Sequence, residues 1–148
     1  MTLNSKAEAA YGKEFVRKAN LTAQNLSVPA NWLLAAICWE TTQFKANGPV
    51  WPRNPSDGGG GLIGFTPLHG HPAEFKTPTE QLDLVEAHYR YWMKKLNLTA
   101  FTTPEDLYLI VRGPYGIGKP DSFDMGAGLK KGDVLRIYRA FLVREGVV

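Results

Sequence analysis

Several signatures of common protein classes are missing from this sequence. Its single cysteine, Cys38, which we expect to be a small buried hydrophobe, excludes an intramolecular disulfide framework. No apolar run reaches the roughly 18 residues of a membrane-spanning helix. A net charge of +3, with no Lys/Arg cluster larger than a pair, is far from the pattern of a nucleic-acid-binding domain. His69 and His71 form a His-x-His pair without fitting zinc partners, and no P-loop or dinucleotide fingerprint is present, so we predict no metal and no cofactor.

The rest of the composition is that of an ordinary globular domain. Hydrophobic residues make up 44% of the 148 positions and charged residues 21%, which is enough apolar surface to bury a core. A chain of this length is typical of one domain, so we predict a single domain over residues 1–148, and we expect a monomer. The N-terminus, Met1 to Lys13, contains no apolar segment of the kind found in a secretory signal.

Apolar residues at helical spacing predict helices along most of the chain. The clearest stripe runs from Leu82 to Leu96, and Thr77 with Glu80 has the spacing of a capping box at its start. The fold class is therefore all-α, at most α+β, with about five to seven helices and little or no β-structure. Only Gly61 to Thr66 suggests a short extended stretch or hairpin, inside a long central Gly/Pro-rich loop over residues 45–76. Five helices are predicted, roughly over Lys6 to Lys18, Pro29 to Thr41, Thr77 to Leu96, Pro104 to Gly113 and Lys131 to Glu145.

The helix over Pro29 to Thr41 carries the first candidate for chemistry. Residues 32–39 are apolar on every side, which is typical of a helix surrounded by other elements. Glu40 follows at once, and we expect desolvation there to raise the pKa of its carboxyl group. A protonated glutamic acid beside aromatic rings is the proton donor that glycosidic bond cleavage requires. The alternative is that Glu40 turns outward into solvent at the helix end.

The central loop carries the second candidate. Four consecutive glycines, residues 58–61, follow Asp57 and precede Leu62, Ile63 and Gly64. Glycine lets a backbone approach a ligand closely, so we interpret this segment as part of a binding site, with a flexible surface loop as the alternative. Aromatic residues that offer stacking faces for sugar rings are Trp51, Phe65, Tyr91, Trp92 and Tyr115.

Three segments together resemble one known family, the soluble lytic transglycosylases of the lysozyme-like superfamily. Val28 to Phe44, which contains Leu-Ala-Ala-Ile-Cys-Trp-Glu-Thr, resembles the catalytic-helix segment of that family. Gly60 to Pro67, which reads Gly-Gly-Leu-Ile-Gly-Phe-Thr-Pro, resembles its Gly-Leu-Met-Gln-Phe-x-Pro turn. Asp106 to Pro120 looks like the third motif region of phage-borne members. The three segments follow the family's order.

The resemblance implies a lysozyme-like domain that cleaves the β-1,4 bond between N-acetylmuramic acid and N-acetylglucosamine in peptidoglycan. It implies that Glu40 alone serves as acid and then as base, while the substrate acetamide stabilises the intermediate and the muramyl 6-hydroxyl closes an anhydro ring. After synthesis in the cytoplasm, the route to the bacterial cell wall or periplasm is then phage lysis, virion delivery or a dedicated export system. Substrate-contacting residues are expected to be Thr41, Asp57, Gly61, Leu62, Ile63, Phe65 and Tyr115.

The sequence departs from the family pattern at three places. Thr41 stands where the family usually has serine, and Gly64 stands where it has glutamine. The family's Ala-Tyr-Asn-Ala-Gly context, which places a tyrosine near the glutamate, is absent. Tyr115 is our choice for that role, with Tyr108 and Arg112 as alternatives.

Three other functions stay open at this point. A hydrolytic muramidase, such as an endolysin, would use Asp57 as a second carboxylate beside Glu40. A cell-wall-binding or virion structural module would keep the fold without catalysis. A helical protein–protein adaptor would be favoured if the glycine loop lay far from Glu40.

Overall fold

The described part of the chain, residues 1–44, 61–65 and 76–148 of a computed structural model, is almost entirely helical. Within these ranges there are six α-helices, one short 3-10 turn over Pro114–Gly116 and no strand. The prediction of an all-α domain with about five to seven helices is confirmed. The helices are α1 (Leu3–Tyr11), α2 (Lys13–Asn25), α3 (Ala30–Glu40), α4 (Pro78–Lys95), α5 (Pro104–Arg112) and α6 (Lys131–Arg144).

The prediction of one helix over Lys6 to Lys18 is wrong, because the chain forms two helices there. Gly12 separates α1 from α2 and has a φ of +94°, a conformation that residues with a side chain rarely adopt. Its N–H donates to the carbonyl of Glu8 at 2.8 Å and closes α1. The apolar spacing continues across Gly12, and for this reason periodicity alone predicts one continuous helix.

The other four predicted helices are confirmed within one or two residues at each end. At the start of α4, Thr77 accepts from the backbone N–H of Glu80, and the Glu80 side chain accepts from the N–H of Thr77. This reciprocal pair is the predicted capping box. Within the suggested extended stretch or hairpin over Gly61 to Thr66, residues 61–64 form a turn, Phe65 is a β-bridge residue, and Thr66 lies outside the described residues.

Helix α3 lies at the centre of the core. It packs against α1, α2 and α5, and its residues 33–38 are at most 1% exposed. Trp39 extends this contact to α6, with its ring 5.0 Å from Phe141 and 5.8 Å from Tyr138. The apolar character of α3 on every side therefore reflects a helix covered by neighbours. None of the described helices is long and apolar enough to span a membrane.

Candidate active site

Glu40 stands where the most buried helix of the protein reaches the surface. It is the last residue of α3 and is half-buried, directly after a fully buried segment. Residues 42–44 then have φ values of 53°, 68° and 57°, a left-handed turn that costs about 1–2 kcal/mol per residue with a side chain. The buried ring of Phe44 meets the ring of Tyr11 edge-on at 5.9 Å and anchors this turn. The chain therefore reverses immediately after Glu40 and leaves its carboxyl group at the helix end.

Thr41, the next residue, is 2% exposed. Its hydroxyl donates to the carbonyl of Ile37 at 2.6 Å and accepts from the backbone N–H of Phe44 at 3.0 Å. These two bonds connect the last turn of α3 to the left-handed turn and satisfy groups that the helix end leaves open. The described contacts of Thr41 are therefore structural, and its contact with substrate stays a prediction.

The turn over residues 61–65 is anchored by its side chains and by α4. Leu62, Ile63 and Phe65 are between 2% and 6% exposed, so they hold the turn against the core. The backbone N–H of Leu62 donates to Oε1 of Gln81 at 3.0 Å, and Nε2 of Gln81 donates to the carbonyl of Lys76 at 3.1 Å. The buried amide of Gln81 therefore binds residues at two separate places in the chain and holds the turn at a fixed distance from α4.

Gln81 is a site residue that sequence analysis missed. It lies four residues before Val85 on the apolar stripe of α4, and it is only 2% exposed. A polar side chain on the buried face of an amphipathic helix needs a buried partner. That mismatch is the signal that could have identified Gln81 as the residue that holds the turn.

Gly64 brings this turn against the carboxyl group of Glu40. Its φ of +69° lies in the left-handed region, and a Cβ atom built at this position would be 3.7 Å from Oε2 of Glu40. Because residue 64 has no side chain, its backbone lies close to Oε2 of Glu40 with no Cβ atom between them. Such an arrangement admits a ligand close to the carboxyl oxygen.

Three tyrosines from three helices lie within electrostatic range of Glu40. Burial raises the pKa of Tyr89 in α4 and of Tyr138 in α6, and the Glu40 charge raises both further. Burial and the same charge raise the pKa of Tyr108 in α5 to about 12. The three phenols therefore stay neutral in the whole pH range in which a protein of this kind folds. The charge of Glu40 is therefore surrounded at this range by phenols that carry no charge of their own.

The Tyr108 ring is the one that belongs to the predicted third motif and lies near Glu40. It is 4% exposed and stacks on the Tyr138 ring at 4.0 Å, with 22° between the ring planes. Burial and the Glu40 charge raise the pKa of its hydroxyl, and the charge of Arg112, one helical turn further on, lowers it. Of the candidates for the motif tyrosine, Tyr108 therefore has the electrostatic contact with Glu40.

Tyr115, our choice from the sequence, lies in a different aromatic group. It is 55% exposed, and its ring meets the ring of Trp92 edge-on at 5.4 Å. The Tyr91 ring also meets the Trp92 ring edge-on at 5.4 Å, and the Lys95 ammonium lies 5.2 Å from the Trp92 ring centre. The contact of Tyr115 with substrate stays a prediction, and these contacts tie it to the C-terminal end of α4.

Several predicted positions lie outside the described residues. These are Asp57, Trp51, His69 and His71, together with most of the central loop. Among residues 1–44, 61–65 and 76–148, no group of three or more His, Cys, Asp or Glu side chains is placed to hold a metal ion. His88 is half-buried, and its ring lies edge-on to Phe65 at 6.1 Å, beneath the turn.

Comparison with known proteins adds no family assignment. No family model, no curated protein and no solved structure matches the chain. The chemistry that its own residues can perform is therefore the basis for a functional proposal.

Proposed function

We propose that this protein cleaves the β-1,4 bond between N-acetylmuramic acid and N-acetylglucosamine in peptidoglycan, as a lytic transglycosylase with Glu40 as its acid and base. The observation that carries the proposal is the contact between two distant segments of the sequence. The end of α3 and the turn over residues 61–65 are separated by a long loop, yet Gly64 lies beside Oε2 of Glu40. These are two of the three segments in which the sequence resembles the family.

The environment of Glu40 suits a proton donor. The carboxyl group is half-buried at the end of an apolar helix, and its charge acts on the neutral phenols of Tyr89 and Tyr108. A general acid must come within about 2.6–3.2 Å of the oxygen that it protonates, so one side must be open to substrate. Gly64 supplies backbone without a side chain at that side.

The chemistry then needs one carboxyl group. Glu40 donates its proton to the glycosidic oxygen, the bond from that oxygen to the anomeric carbon breaks, and the substrate acetamide oxygen stabilises the anomeric carbon. The Glu40 carboxylate next takes the proton of the muramyl 6-hydroxyl, whose oxygen bonds to the anomeric carbon. The proton returns to Glu40, and the product carries a 1,6-anhydro ring.

The test compares wild type with Glu40→Gln on purified peptidoglycan and on permeabilised cells. Loss of a general acid is expected to lower the rate by about 10²–10⁴-fold, while the folded structure is kept. Glu86→Gln is the matched control, because Glu86 is also partly buried but lies in an ion pair with Arg90 on α4. Activity that Glu40→Gln leaves unchanged, or wild type without activity, would contradict the proposal.

Mass spectrometry of the products decides between the two cleavage reactions. Anhydromuramic ends are expected from a lytic transglycosylase. Reducing ends would instead indicate a hydrolytic muramidase, in which a second carboxylate such as Asp57 activates water.

A further inference from the structure

An aromatic cluster lies exposed at the C-terminal end of α4. It consists of Tyr91, Trp92 and Tyr115, and both tyrosine rings meet the Trp92 ring edge-on at 5.4 Å. Tyr91 is 54% exposed and Tyr115 is 55% exposed, whereas every other tyrosine of the described chain is buried or half-buried. Single apolar residues are common on a protein surface, but a contiguous group marks a binding surface. The cluster is therefore a candidate site for a ligand that stacks on aromatic rings.

Lys95 adds a positive charge to the aromatic cluster. Its Nζ atom lies 5.2 Å from the ring centre of Trp92 and 5.7 Å from that of Tyr91, and it donates to Oη of Tyr91 at 3.4 Å. Among the described residues no carboxylate forms an ion pair with Lys95. An ammonium group has three N–H donors, so two remain for a ligand. Because the two rings already hold the ammonium in place, less side-chain entropy is lost when it binds an anion.

A small pocket adjoins Tyr115. Its volume is about 330 Å³, at the lower end of the range for small-molecule sites, which suits one sugar ring. The pocket wall is well defined because Met125 fills the space that side chains at two glycines would occupy. A Cβ atom would lie 2.5 Å from Cε of Met125 at Gly113 and 2.9 Å from its Sδ at Gly116. The pocket is lined by Gly113, Tyr115, Gly116, Phe123, Asp124, Met125 and Gly126.

The chemistry of this surface favours an acidic sugar as the ligand. Aromatic rings offer stacking faces for the C–H face of a sugar ring, and the exposed carboxylate of Asp124 in the pocket accepts hydrogen bonds from hydroxyl or amide groups. Lys95 then binds a carboxylate of the ligand by a charge-assisted hydrogen bond. A single-stranded nucleic acid would also stack on the rings, but its phosphates would be repelled by Asp124.

We propose that the aromatic cluster and Lys95 form a second glycan-binding site, which stacks on the sugar rings of a peptidoglycan strand and pairs with the carboxylate of a muramyl residue. The site lies beyond the part of α4 that holds the turn beside Glu40. That turn contacts α4 at Gln81 and at His88, and Trp92 follows His88 by one helical turn, about 6 Å along the axis. The choice of peptidoglycan rests on the proposed function, whereas binding of a carboxylated glycan does not require Glu40.

The first test titrates the Glu40→Gln protein, which is expected not to cleave the ligand, with two tetrasaccharides and follows the protein by NMR. One alternates N-acetylglucosamine and N-acetylmuramic acid and has free lactyl carboxylates; the other contains only N-acetylglucosamine and is uncharged. Both are expected to shift the indole N–H signal of Trp92, and the carboxylated one is expected to bind about fivefold more tightly at this site. No shift of the Trp92 signal with either sugar, or tighter binding of a single-stranded oligonucleotide, would overturn the glycan site.

The second test separates the charge from the rings. Lys95→Met is expected to remove the fivefold preference for the carboxylated sugar and to leave binding of the uncharged one unchanged. Lys94→Met is the matched control, because Lys94 is exposed on the same helical turn and among the described contacts approaches none of the three rings. If the two lysine variants keep the same preference, the ion pair is refuted.

The rings are tested in the same titration. Tyr115→Ala is expected to weaken binding of both sugars about tenfold, because it removes an exposed stacking face without opening the core. Ile137→Ala on α6, a position that is also 55% exposed, is the control and is expected to bind as the parent protein does. Equal affinities in these two variants would refute the aromatic cluster as the binding surface.

Kinetics on peptidoglycan distinguish this inference from the proposed function. Tyr115→Ala is expected to raise KM with kcat unchanged, since the site binds substrate and transition state equally. If Glu40→Gln cleaves as well as wild type while both tetrasaccharides still shift the Trp92 signal, the proposed function fails and the glycan site stands. If Glu40→Gln abolishes cleavage while neither sugar shifts that signal, the glycan site fails and the proposed function stands.

Discussion

Gly64→Ala is the substitution that most directly tests the contact between the turn and Glu40. The added methyl group would lie 3.7 Å from Oε2 of Glu40, an ordinary van der Waals distance, so no clash is expected. The substitution is expected to lower stability through the backbone, because a φ of +69° is unfavourable for alanine by about 1–2 kcal/mol. For a chain of this size, that corresponds to a fall in melting temperature of about 3–6 °C.

The effect on activity has a different origin. A glycosidic oxygen must come within about 2.6–3.2 Å of the donor oxygen of Glu40, and a methyl group beside Oε2 occupies part of that approach. We expect the Gly64→Ala substitution to lower kcat/KM at least tenfold, or about 1.4 kcal/mol of transition-state stabilisation. Activity is measured as release of soluble muropeptides, well below the melting temperature of the variant.

Gly128→Ala supplies the matched control. Gly128 has a φ of +77° and no atom within 4 Å of its Cβ position, so it carries the same backbone strain without a neighbour. The two variants are expected to lose similar stability, and only Gly64→Ala is expected to lose activity. Equal activity in the two variants would refute the proposal that substrate approaches Glu40 on the side of Gly64.

Further predictions concern the parts that support the site. Gln81→Leu leaves the buried N–H of Leu62 without its acceptor, so we expect the free energy of unfolding in chemical denaturation to fall by about 1–3 kcal/mol. We also expect faster amide hydrogen exchange at Leu62. Unchanged exchange would contradict the role of Gln81 in holding the turn. Burial, with a smaller contribution from the Glu145 charge, raises the pKa of the Cys38 thiol to about 11, so a thiol reagent at pH 8 should react only after unfolding. Lys6→Met removes the ion-pair partner of Glu145, which lies at 2.8 Å and whose side chain is 7% exposed, so we expect the free energy of unfolding to fall by about 2 kcal/mol. Adding Glu145→Gln to the same chain should restore part of that stability. If it restores none, an unpaired charge is not the cause of the loss.

The sequence predicts well those features that depend on local patterns. The N-terminal end of α4 is determined by Thr77 and Glu80, three residues apart, and the structure has both bonds of that capping box. The buried character of α3 follows from an uninterrupted apolar run. The corner at Gly12 is different, because a lone glycine in a periodic pattern is compatible with a continuous helix as well as with a break.

Features of the site that depend on contacts between residues far apart in the sequence are harder to predict from it. The sequence singles out Glu40 and the glycine turn, but it does not indicate that Gln81 joins that turn to α4. From the motif region we chose Tyr115, with Tyr108 and Arg112 as alternatives. The folded chain separates the two tyrosines, because the Glu40 charge acts on Tyr108 in α5 while the 3-10 turn places Tyr115 against Trp92.

The left-handed turn over residues 42–44 has a consequence for engineering. A chain selected only for stability would place glycine or asparagine where Thr42 and Gln43 adopt positive φ values. Thr42→Gly and Gln43→Gly are therefore attractive thermostabilising substitutions, against the general rule that glycine weakens a fold. The same relaxation would loosen the chain directly after Glu40. Under the proposed function, single substitutions in this turn are therefore expected to raise thermal stability and lower the catalytic rate together.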